Sequence, residues 1–138
     1  MMQPITLKSL PFTLHILIEV PAALTFLLYP SLTLVRPQPY AHAVIRQYGF
    51  LLLSSNIIAS VFAFQIHDRE LLDVQIMQIE AWVAGSLALY HLAPLMRATS
   101  RMWLEGGKQK GFVGQPWVHA LAHGICLIAL MGRSLHWW

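Results

Sequence analysis

The sequence predicts an all-α integral membrane protein, a bundle of four transmembrane helices running up-down-up-down. Three observations carry this. Of 138 residues, 57% are hydrophobic and only 11% are charged, against about 25% charged in ordinary soluble domains. Four apolar stretches, each bounded by polar residues or by Pro and Gly, approach the ~20 residues that a helix needs to cross ~30 Å of hydrocarbon. No stretch alternates polar and apolar residues as a membrane strand would. The length suits a single domain over residues 1–138.

The first span is expected over about 10–29, closed by Pro30. Lys8 precedes it as a basic residue precedes a signal peptide, but Glu19 lies inside and no small-x-small pattern precedes Pro30, so the span is read as retained. Ser31 to Tyr40, with Pro37 and Pro39, reads as an extended turn into a second span over about 43–66. A short charged connection, His67 to Asp73, leads to a third span over about 74–96, where Pro94 is expected to end or kink the helix. Thr99 to Gln115, with Gly106, Gly107, Gly111 and Gly114, is the one long loop before a fourth span over about 117–135.

Arg36, Arg97, Arg101, Lys108 and Lys110 fall on one side of this topology, with Arg46 just inside it, and Lys8, Arg69 and Arg133 fall on the other. The positive-inside rule then puts both termini outside the cytoplasm. A net charge of +3 from nine Lys and Arg, with no basic stripe interleaved with aromatics, fits anionic headgroups and excludes nucleic acid as a partner. Trp103, Trp117, Trp137, Trp138, Tyr29, Tyr40 and Tyr48 fall near span ends, where amphipathic rings favour the interface. The single Cys126 excludes an internal disulfide and reads as a small packing residue.

Ionisable side chains in hydrocarbon cost ~2.5 kcal/mol or more each and turn to the bundle interior. Four apart on the first span, His15 and Glu19 share a helix face, with Pro21 freeing the carbonyl of Leu17 nearby. The second span carries Asn56 among Ser54, Ser55 and Ser60, a set that commonly bonds across helices, and the close-packing pair Ala59 and Ala63. Glu80 and His91 lie almost in line on the third span. On the fourth, His119 and His123 are again four apart, and Gly124 offers room for a neighbour. One polar seam running from His15 to His119 is the economical arrangement.

Such a seam suits acid–base chemistry on a lipophilic molecule. A desolvated carboxyl group holds its proton and can donate it to an alkene or epoxide, while a neutral imidazole removes one. The expected catalytic residues are Glu19, Glu80, His15 and His123, with Asn56, His91 and His119 in the pocket. The reaction expected is isomerisation or cyclisation of a terpenoid- or sterol-like substrate. The alternatives are a non-catalytic accessory or structural subunit and, on the strength of His119 and His123, a haem- or metal-binding protein. The Glu-x-x-His spacing of di-iron bundles and the His-Glu-x-x-His zinc signature are absent, so neither a metal nor any other cofactor is assigned from the sequence. The bilayer and a hydrophobic small molecule are the expected partners, and a homo-oligomer is compatible with the composition.

The His15-x-x-x-Glu19 pair resembles one in emopamil-binding-type sterol isomerases, which are also compact helical bundles. The stretches HAVIRQYGFLLLSSN (42–56), GSLALYHLAPLMRA (85–98) and PWVHALAHG (116–124) resemble those of small four-span membrane proteins of fungi. That second resemblance implies the same topology and an endomembrane location such as the endoplasmic reticulum.

Overall fold

A computed structural model describes residues 7–33, 39–64, 74–105 and 115–136. They form four helices and no strand: α1 (Leu10–Leu28), α2 (Pro39–Phe64), α3 (Val74–Glu105) and α4 (Pro116–Ser134), with a 3-10 turn at Pro30–Thr33 after α1. The expected connections across 34–38, 65–73 and 106–114 lie outside the described residues, and with them Arg36, Arg69, Lys108 and Lys110. Two of the described helices, Leu10–Leu28 and Ala41–Phe64, are long and apolar enough to cross a membrane. The lower mean hydropathy of α3 and α4 follows from the charges and imidazoles they carry: Glu80, His91, Arg97 and Arg101 on one, His119, His123 and Arg133 on the other.

The helix ends differ most from expectation in α3. It continues through Pro94 to Glu105, so the third connection begins later than Thr99. Pro94 removes one backbone donor, but Met96 to Glu105 contains neither Pro nor Gly and is rich in good helix formers. Thr99 Oγ1 also donates to the carbonyls of Leu95 and Met96. At the other end of the chain, α4 stops where His136 takes a left-handed conformation, φ 57°, and its N–H returns to the carbonyl of Arg133.

Neighbouring helices run antiparallel, as two hairpins, α1 with α2 and α3 with α4, joined mainly through α1 against α4. Close approaches occur at Gly49 and Gly85. A Cβ at Gly49 would stand 2.9 Å from Leu27 Cγ and 3.2 Å from the Ala23 carbonyl oxygen, and one at Gly85 2.9 Å from Ser134 Oγ. Gly124, the expected site of close packing, has its nearest neighbour at an ordinary 3.9 Å.

The layers along the bundle position the functional groups. At one end Arg133 clamps Glu80, Nε to Oε1 at 2.9 Å and Nη2 to Oε2 at 2.7 Å. The apolar core follows, built on Phe12, Ala59, Phe62, Ala63, Ala84, Leu87, Ala88 and Leu130, with Phe12 stacked on Phe62 at 5.4 Å. Beyond it comes a layer of imidazoles, and beyond that an open cavity.

Candidate functional site

Glu19 is 1% exposed and His15 and His91 are fully buried, yet each has been brought to a polar neighbour from a different helix. His15 Nδ1 stands 2.9 Å from His91 Nε2, and His91 Nδ1 stands 2.9 Å from His123 Nδ1. The carboxylate of Glu19 sits beside this row, Oε1 being 3.6 Å from His91 Nδ1 and 3.4 Å from His123 Nδ1. Its other oxygen, Oε2, accepts a hydrogen bond from the Tyr90 hydroxyl at 3.0 Å, and Tyr90 accepts one from Tyr48 at 3.1 Å. Oε1 is buried without a hydrogen-bond partner.

Local sequence explains how each group arrives. His15 and Glu19 are one helical turn apart on the inner face of α1, and Phe12 and Ala23 on the same face are buried with them. Tyr90 and His91 are adjacent on α3, so that the imidazole points at the hairpin interface and the phenol reaches around it to Glu19. His119 and His123 stack at 6.4 Å on α4, the second buried and the first exposed.

The expected seam is therefore assembled in part. His15, Glu19, His91 and His123 converge, and His119 continues the row towards the surface. Glu80 does not join them: eleven residues from His91, it lies ~16 Å away along the helix, held by Arg133. Asn56 is buried, but its amide nitrogen donates to its own helix at the Leu52 carbonyl, and its Oδ1 has no partner. Ser54 and Ser60 likewise bond carbonyls one turn back, the usual local competitor to a cross-helix bond. Ser55 does both. It donates to the Leu52 carbonyl at 2.8 Å and meets His15 Nε2 at 3.4 Å.

Three participants escaped the sequence reading. Arg133 counts in the sequence only as a charge of the outer side; an antiparallel hairpin sets the end of α4 beside the start of α3 and so beside Glu80. Tyr48 was read as an interfacial ring. Tyr90 had no signal beyond its position next to His91.

The cavity opening from this layer measures about 360 Å³. Glu19, Tyr90 and His123 line it together with Phe26, Tyr48, Pro94, Arg97 and Arg101. Its volume lies near the lower end of the ~300–1,000 Å³ typical of small-molecule sites. Among the described residues, Glu19, His91 and His123 are the group that could hold a metal ion, each offering one ligand atom, all within 4.8 Å of one another. No protein-family model, curated protein or solved structure matches the chain.

Proposed function

We propose that this chain is a membrane-embedded isomerase or cyclase that moves a proton on a lipophilic molecule bound in the cavity. The observation that carries the reading is Glu19: a carboxyl group, buried to 1% exposure, lines a mainly apolar cavity with one oxygen left without a partner. An unpartnered buried acceptor costs stability, and such sites are retained where they do chemistry. The imidazoles of His91 and His123 beside it and the phenol of Tyr90 supply further proton-exchanging groups within 3.6 Å. The His15-x-x-x-Glu19 resemblance to emopamil-binding-type isomerases points the same way. The size of the cavity suits a compact terpenoid better than a tetracyclic sterol.

The bilayer is the proposed solvent of all four helices, with an endomembrane such as the endoplasmic reticulum as the proposed location. Leu17, Phe50, Leu51, Trp82 and Leu89 are each more than half exposed, a placement that water penalises and hydrocarbon does not. Arg133 and Glu80, in contrast, turn inward and neutralise each other, as charges in such spans must.

The test is purification in mild detergent followed by mass spectrometry of the extracted small molecules. The wild type is expected to carry a lipophilic compound together with its isomer, and a folded Glu19→Gln variant to carry the unconverted one alone. The reading fails if no such compound is found, or if Glu19→Gln and His123→Ala proteins carry the same compounds in the same ratio as the wild type.

A further inference from the structure

The hydrogen-bond chain behind the site fixes where its protons are. Ser55 gives its only hydrogen to the Leu52 carbonyl, so its oxygen can only accept from His15 Nε2. A neutral His15 that donates through Nε2 must accept through Nδ1, and the proton between it and His91 therefore sits on His91 Nε2. It follows that His91 Nδ1 carries a lone pair. That lone pair faces His123 Nδ1, 2.9 Å away, and the unpartnered Glu19 Oε1 lies 3.6 Å from the same nitrogen. Two acceptor atoms, His91 Nδ1 and Glu19 Oε1, thus converge from α3 and α1 with His123 Nδ1 of α4, whose proton bridges to His91 until a cation displaces it.

We propose that Glu19 Oε1, His91 Nδ1 and His123 Nδ1 bind one first-row divalent cation of the zinc or iron(II) type. Their separations of 2.9, 3.4 and 3.6 Å place the three on a circle of radius about 1.9 Å, so an ion slightly off their plane meets each at about 2.0–2.2 Å, the range of zinc–imidazole and zinc–carboxylate bonds. Two imidazoles and one carboxylate select such metals over magnesium or calcium, which prefer oxygen ligands alone. Outer partners are present for two of the three ligands. His15 holds the distal nitrogen of His91, and Tyr90 holds the second oxygen of Glu19. Three protein ligands leave positions open, as in catalytic sites, and two of the ligand residues, Glu19 and His123, also line the cavity. Without an ion, a proton on His123 Nδ1 is needed to bridge to His91, and Glu19 Oε1 still has no donor.

The inference rests on the reading of this cluster as the functional centre, but its test is separate. The full chain, purified in detergent through an affinity tag without histidines, is assayed for metal by plasma mass spectrometry. It is then stripped with chelator and titrated with cobalt(II) while visible ligand-field bands are followed. One equivalent of zinc or iron and a saturable cobalt spectrum are expected. His91→Gln and His123→Gln should abolish the spectrum, and Tyr90→Phe should weaken binding by about 10–100-fold, as loss of an outer-sphere partner does. Helical circular dichroism reports that each variant is folded. Should His91→Gln misfold, Glu19→Gln, which conserves shape and removes the charge, takes its place with the same expectation. A wild-type protein that carries no metal and gives no cobalt spectrum overturns the proposal, as does a spectrum unchanged in all ligand variants. Metal without any lipophilic compound would leave this inference standing and remove the isomerase reading; a converted compound in metal-free protein would do the reverse.

Discussion

Arg133 is the perturbation with the clearest magnitude. Its guanidinium makes two charge-assisted bonds to Glu80, 2.9 and 2.7 Å long, between residues only 6% and 2% exposed. Removing one partner of such a buried pair strands the other charge, at a cost of about 3–5 kcal/mol, whereas replacing both with apolar residues is often near neutral. Arg133→Met should therefore destabilise by about 3–5 kcal/mol, and the Glu80→Met/Arg133→Met double variant by less than about 1 kcal/mol. Reversible unfolding in mixed detergent micelles, run as a double-mutant cycle, measures the coupling. Both charges lie across the apolar core from the imidazole layer, so the double variant is also expected to keep the cobalt(II) spectrum of the wild type. A single-variant cost below about 1 kcal/mol, the value of an exposed ion pair, would refute the clamp. So would a double variant as unstable as the single one.

Two further outcomes follow from packing. Gly49→Ala forces a methyl group to 2.9 Å from Leu27 and 3.2 Å from a backbone oxygen and should cost about 1–3 kcal/mol, while Gly124→Ala meets only Leu95 at 3.9 Å and should gain up to about 1 kcal/mol of helix propensity; thermal unfolding of the two variants separates them. Cys126, fully buried beneath the centre, should react with a small membrane-permeant thiol reagent only after denaturation, as mass spectrometry of intact protein would show.

Much of this was legible in the residues, and the exceptions have physical causes. Apolar run length located all four helices, because a helix that buries or embeds itself needs a continuous apolar segment whatever its neighbours are. It could not locate the end of α3, since Arg97 to Glu105 mixes Arg, Thr, Ser and Glu with a few apolar residues, too polar for an apolar run yet favourable to helix. The pairing of His15 with Glu19 was visible as an i, i+4 repeat on one helix. The grouping of Glu80 with His91 was drawn from the same periodicity, but a shared face is a line and not a place, and along α3 that line is ~16 Å long. Motif spacing did not reveal the grouping of Glu19, His91 and His123 because the three come from three helices, and only the packing of α3 against α1 and α4 brings His91 between His15 and His123. Arg133 shows its partner Glu80 only in the fold, for a related reason. Counted from the chain end it is interfacial, and only hairpin pairing reveals that Glu80 lies at its depth.

The central claim is that imidazoles from α1, α3 and α4 meet inside the bundle. Solid-state nitrogen correlation spectroscopy on histidine-labelled protein in bilayers measures this directly. Cross-peaks are predicted from His15 to His91 and from His91 to His123, each reporting a separation near 2.9 Å, with His91 protonated on Nε2. Isolated imidazole signals with no correlation between these residues, or a His91 proton on Nδ1, would contradict the account.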